Sequence, residues 1–66
     1  MKIQVNGESH EVEVGTSIAK LLDEMQLDKR YLAVERNLQL VPRAEHADVV
    51  LVEGDRLEVV TLVGGG

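Results

Sequence analysis

Ile3 and Val5 alternate with Lys2 and Gln4, the two-residue period of a strand with one buried face. Asn6-Gly7 follows, and both residues tolerate the positive φ that a two-residue hairpin turn requires. Val12 and Val14 then alternate with Glu11 and Glu13, so the pattern predicts a second strand and an opening β-hairpin. Gly15-Thr16-Ser17 interrupts the alternation and offers a hydroxyl N-cap at Thr16 or Ser17. Beyond it Ile18, Leu21, Leu22 and Met25 recur at helical spacing, with Lys20, Asp23 and Glu24 on the other face. That spacing predicts an amphipathic helix over 17–26. The capping box is incomplete, because Ala19 or Lys20 stands where Glu or Gln is favoured.

Asp28-Lys29-Arg30 reads as a polar loop, and Leu32 and Val34 mark a third strand over 31–35. Arg36-Asn37 supplies a turn, after which Leu38, Leu40 and Val41 predict a short fourth strand ended by Pro42. Proline donates no ladder hydrogen bond, so this strand belongs at an edge or a strand end. Residues 43–48 read as a loop or a single helical turn, and 49–52 as a buried apolar segment. Glu53-Gly54-Asp55 is a tight turn. The last strand carries apolar residues at Leu57, Val59, Val60 and Leu62, which predicts burial on both faces and a central position. The order β-β-α-β-β-β describes an α+β protein of β-grasp type, with one helix covering one face of a small mixed sheet. Residues 1–63 form the domain and 64–66 a flexible glycine tail.

Composition narrows what such a domain does. The chain has 66 residues and no cysteine, so disulfides and thiolate metal sites are excluded and an aliphatic core must carry the fold. A net charge of -5 and a single aromatic, Tyr31, argue against nucleic acid, whose binders need clustered Lys and Arg and bases to stack on. The same charge disfavours anionic membranes. No stretch is long enough for a membrane span, and the alternating N-terminus is not a signal peptide, so a cytoplasmic location is expected.

Glycine clusters at the end of the chain. Gly7, Gly15 and Gly54 fall at turns, whereas Gly64, Gly65 and Gly66 have no turn to make. A frayed end is the plain reading. Against it, the tail leaves a strand expected to be central, and four residues reach at most about 14 Å, enough to enter a narrow enzyme cleft. Glycines also let a nucleotide and a nucleophile approach the terminal carbonyl closely. A carboxylate with a pKa of about 3.5 is a poor electrophile and needs activation, most simply by AMP from ATP.

The segments Val34-Glu35-Arg36-Asn37, Leu40-Val41-Pro42-Arg43 and Glu53-Gly54-Asp55-Arg56-Leu57-Glu58-Val59, with Gly65-Gly66, resemble the ThiS family of ubiquitin-like sulfur carriers in thiamine biosynthesis. The resemblance spans the whole chain. It implies that the Gly66 carboxylate is adenylated by an E1-like adenylyltransferase, which uses ATP and magnesium. A sulfur-transfer enzyme then helps convert it to a thiocarboxylate, which donates sulfur to thiazole synthase. Val63, Gly64 and Gly65 are the implied recognition segment. The carrier itself would bind no cofactor or metal and hold no catalytic residue.

Alternatives are a small subunit of molybdopterin synthase, a lysine-conjugating ubiquitin-like modifier and an RNA-associated β-grasp module. Val60-Thr61-Leu62-Val63 lacks the proline pair that marks the first, and acidity disfavours the last. Elsewhere the chemistry reads as structural. His10 is expected partly buried beside the sheet, and His46 in a solvated loop without the companions a metal site needs. The twelve Asp and Glu residues are expected at exposed positions, and Met25 in the core. Arg36 and Arg43, flanking the fourth strand, either meet a partner or are ordinary surface groups.

Overall fold

The computed structural model describes residues 1–62. Five strands, β1 (Lys2–Val5), β2 (Glu8–Glu11), β3 (Leu32–Arg36), β4 (Gln39–Val41) and β5 (Arg56–Thr61), form one sheet in the order β2-β1-β5-β3-β4. The helix α1 (Ile18–Glu24) lies across one face. β5 runs parallel to β1 and antiparallel to β3, so the last strand is the central one, as its apolar content predicts.

The β1–β2 hairpin closes through Asn6 (φ 51°) and Gly7 (φ 83°), both in the left-handed region that such turns demand. β2 is displaced from its expected place: it occupies 8–11, not the stretch around Val12 and Val14. Val12 N–H still donates to Met1 O, but then Thr16 bonds to Glu13 O through both its N–H (3.2 Å) and its hydroxyl (2.7 Å). These bonds close a turn that carries the chain off the sheet, leaving Val14 87% exposed. The alternation at 12–14 is therefore a connection, not a ladder.

Ser17 caps α1, its hydroxyl accepting from Lys20 N–H at 3.1 Å. The helix ends in a Schellman arrangement, with Gln26 N–H donating to Asp23 O and Leu27 N–H to Leu22 O. Gln26 takes the left-handed conformation (φ 61°) where glycine is usual. Ile18, Leu21 and Leu22 are buried against Ile3, Val5, Leu32, Val34, Val41, Leu51 and Leu57. Met25 and Val59 pack at the margin of this core.

Four further expectations are corrected. First, β5 is central but covered on one face only: Leu57 is buried, whereas Val60 and Leu62 are 52% and 51% exposed. One helix covers one face of a sheet. Second, within 49–52 only Leu51 is buried; Val50 and Val52 face outward, and the segment touches the helix start through a Ser17–Val50 bridge. Third, the β3–β4 turn is centred on Asn37 (φ 52°) and Leu38 (φ 72°), so Leu38 is a turn residue and not part of β4. Fourth, residues 29–31 form a 3₁₀ turn capped by Asp28, and Tyr31 precedes β3.

Candidate functional site at the end of the central strand

The strand that leads to the glycines is held from both sides. β3 pairs with β5 from Leu57 to Thr61, and Leu62 N–H donates to Tyr31 O at 2.6 Å. On the other side β1 pairs only with Arg56 and Leu57 before it turns away. There the Asn6 side chain continues the ladder, accepting from Val59 N–H at 2.8 Å and donating to Val59 O at 3.2 Å. A side-chain amide thus replaces a peptide group, and the central strand stays paired toward its exit. Val63, Gly64, Gly65 and Gly66, the expected recognition and modification residues, lie outside the described residues.

Around the exit, Arg30 binds Asp28 through both guanidinium edges, Nη2–Oδ2 at 2.8 Å and Nε–Oδ1 at 3.1 Å. Its guanidinium lies 5.4 Å from the Tyr31 ring centroid. Those bonds from Arg30, together with its backbone N–H, lower the Asp28 pKa to about 2. Arg43 donates to Arg30 O at 2.8 Å. Arg43 is therefore bound to the 3₁₀ turn beside the strand's end.

At the opposite end of β5 the segments that carry the family resemblance meet. Asp55, expected at the surface, is buried, and it gathers three donors. Arg36 Nε and Val52 N–H donate to Oδ2, both at 2.9 Å, and Asn37 Nδ2 donates to Oδ1 at 3.0 Å. Burial pushes the Asp55 pKa up, but these donors and the Arg36 charge outweigh it, and the net shift is downward. Asn37 Oδ1 in turn accepts from Arg56 N–H. The network ties the β3–β4 turn to the start of β5, so Arg36 is a structural ion-pair partner. The signal was present in sequence as two Arg, Asn and Asp-bearing segments, but nothing there says that they touch.

His10 is half-buried in β2 opposite Ile3, as expected. His46 is not solvated: it is 3% exposed, its Nε2 lies 3.0 Å from Val41 O, and its Nδ1 has no partner. Its backbone carbonyl accepts from Ala19 N–H, so the loop is packed onto the helix start. Among the described residues no group of three or more His, Cys, Asp and Glu side chains could hold a metal ion. No described helix is long and apolar enough to cross a membrane.

Comparison with known proteins agrees with this architecture. A crystal structure of a thiamine biosynthesis protein (ThiS) from Geobacter metallireducens superposes with a TM-score of 0.86 at 26% identity, covering 100% of both chains. The fold is thus the ubiquitin-like β-grasp. The sulfur carrier protein ThiS of Bacillus subtilis is 34% identical over 65 residues, 97% of this chain and 98% of that protein. A thiazole synthase of Paramagnetospirillum magneticum is 42% identical over 66 residues, but the chain spans only 20% of its length. The ThiS family model matches residues 3–66, and the chain belongs to that family.

Proposed function

We propose that this chain is a sulfur carrier for thiazole formation in thiamine biosynthesis, and that the Gly66 carboxylate is the group that carries sulfur. The observation that supports it most directly is the end-to-end likeness to the Bacillus subtilis carrier, 97% of one chain against 98% of the other. The likeness to a segment of a thiazole synthase supports that enzyme as the acceptor.

The chemistry has two steps. A Gly66 carboxylate oxygen attacks the α-phosphorus of ATP on an E1-like adenylyltransferase, pyrophosphate leaves, and an acyl-adenylate forms. A sulfur nucleophile delivered by a sulfur-transfer enzyme then attacks the carbonyl carbon, and AMP leaves with the former carboxylate oxygen. Magnesium and ATP serve the partner, and the carrier is a cosubstrate. Its own contribution is position. A strand paired up to Leu62 gives the following residues a fixed origin, and glycines at 64–66 present no Cβ to a crowded cleft.

The test is pyrophosphate release with the cognate adenylyltransferase, ATP and magnesium, together with intact mass of the protein from its own cells. A species ending at Gly66 with one oxygen replaced by sulfur is expected. Deleting Gly66 withdraws the carboxylate by about 3.5 Å and should abolish turnover while the domain stays folded. Normal turnover by that deletion would refute the reading.

A further inference from the structure

The sheet has a second face that no described element covers. Strand pairing defines it: Leu40, Glu35 and Glu58 stand side by side across β4, β3 and β5, and Ala33 pairs with Val60 in the next row. Leu40 is 66% exposed and Val60 52%. At the edge of this face, Leu38 is 90% exposed and lines a shallow recess with Arg56 and Glu58.

Two features here work against folding. Leu38 holds a φ of 72°, where an aliphatic side chain is strained and Asn or Gly is at ease. A side chain that exposed returns no burial for the strain. Glu35 and Glu58 face each other directly across two strands, an arrangement that repels. Neither carboxylate has a hydrogen bond or an ion pair among the described residues, and Arg56, on the same face, pairs with neither. In the segments of family resemblance, Arg36, Asn37 and Asp55 bind one another. Glu35 and Glu58 remain unused. Strain and unpaired charge of this kind are retained where a partner relieves them.

We propose that this open face, from Leu38 across Leu40, Glu35 and Glu58 to Val60, is a docking surface for a partner protein. That partner presents a Lys or Arg side chain between apolar residues. The cation enters between Glu35 and Glu58, Leu40 and Val60 meet apolar groups on either side, and Leu38 seats in a recess beyond the sheet edge. A second copy of this chain does not fit, because it would add two more carboxylates to the repelling pair. Nucleic acid and anionic lipid are disfavoured by the net charge of -5. A partner docked here lies along β5, the strand that leads to the proposed sulfur-carrying end.

The test measures binding without ATP, by calorimetry, to the cognate adenylyltransferase and to thiazole synthase; the sulfur-carrier reading enters only in choosing these probes. Wild type should bind at least one of them, less tightly as salt rises. Glu58→Lys should weaken that binding by about tenfold or more and Leu38→Asn by about fivefold. Neither variant should melt below wild type, since the first converts repulsion into attraction across β3 and β5 and the second relieves the strained φ. Lys20→Ala, on the helix, is the control and should bind as wild type. The proposal is overturned if wild type binds neither enzyme, if both face variants keep wild-type affinity, or if the control weakens binding equally. Weakened binding by the face variants, with no adenylation of bound wild type, would keep the docking surface and refute the carrier chemistry.

Discussion

Replacing Asp55 with Asn changes almost no volume but removes half of the acceptor capacity at a buried junction. Three donors converge on the carboxylate, from Arg36, Val52 and Asn37. An amide oxygen placed at the Oδ2 position keeps Arg36 and Val52 but points its own NH2 at the Asn37 donor. Asn37 cannot turn over to accept, because its oxygen already accepts from Arg56 N–H. The reverse orientation of the new amide loses two bonds instead of one. At least one donor in a buried setting is then unsatisfied, at about 1–3 kcal/mol. Arg36 is 30% exposed and recovers some hydration, which keeps the cost near the middle of that range, about 2 kcal/mol.

For a domain of this size each kcal/mol moves the melting temperature by roughly 4–8 °C, so Asp55→Asn should melt roughly 8–16 °C lower at neutral pH. Calorimetric melts of Asp55→Asn, Arg36→Ala and the double variant give the coupling between the two side chains. The pH dependence has a definite sign. The folded-state pKa is lowered, so the stabilisation is present above the unfolded value of about 3.9 and fades as pH falls through the folded one. Wild type and Asp55→Asn should therefore converge on acidification below that value. An Asp55→Asn melt within about 3 °C of wild type at neutral pH would refute this account of the junction.

Other predictions are shorter. Leu22→Ala empties a fully buried position on α1 and should cost about 2–5 kcal/mol, a large part of a small domain's stability, read by denaturant unfolding. Ser17→Ala removes the hydroxyl that caps Lys20 N–H and should cost about 1 kcal/mol in the same assay, whereas Thr16→Ser, which keeps the hydroxyl bond to Glu13, should cost less. The Asp28 carboxyl, followed by NMR, should titrate near 2 because Arg30 holds its charged form, and should move up toward the ordinary carboxylate range in Arg30→Ala.

The elements legible in sequence were those with a strong period or a strong turn. The helix face at Ile18, Leu21 and Leu22 and the Asn6-Gly7 turn follow from residue types that leave few alternatives. The misplaced β2 has a physical cause: Val12 and Val14 alternate like a strand, but a threonine hydroxyl and N–H on one carbonyl close a turn instead. Such local bonds leave no mark on a hydrophobic pattern. The same holds for Leu38, where apolar character suggested a strand while the two-residue loop set its backbone.

Burial of polar residues was the least legible feature, because it depends on partners distant in sequence. Asp55 is buried by donors from Arg36 and Asn37, and His46 by packing against Val41 and the helix start. This difference separates two kinds of charged residue on one small sheet. Arg36, Asn37 and Asp55 are consumed in joining the β3–β4 turn to β5, so their chemistry is spent within the fold. Glu35 and Glu58 lie between them and the aliphatic positions of the open face, with nothing to bind among the described residues. The domain's interior needs only one face of its sheet. The other face is free to be selected for contact, and its strained leucine and opposed carboxylates are the features that folding alone would remove.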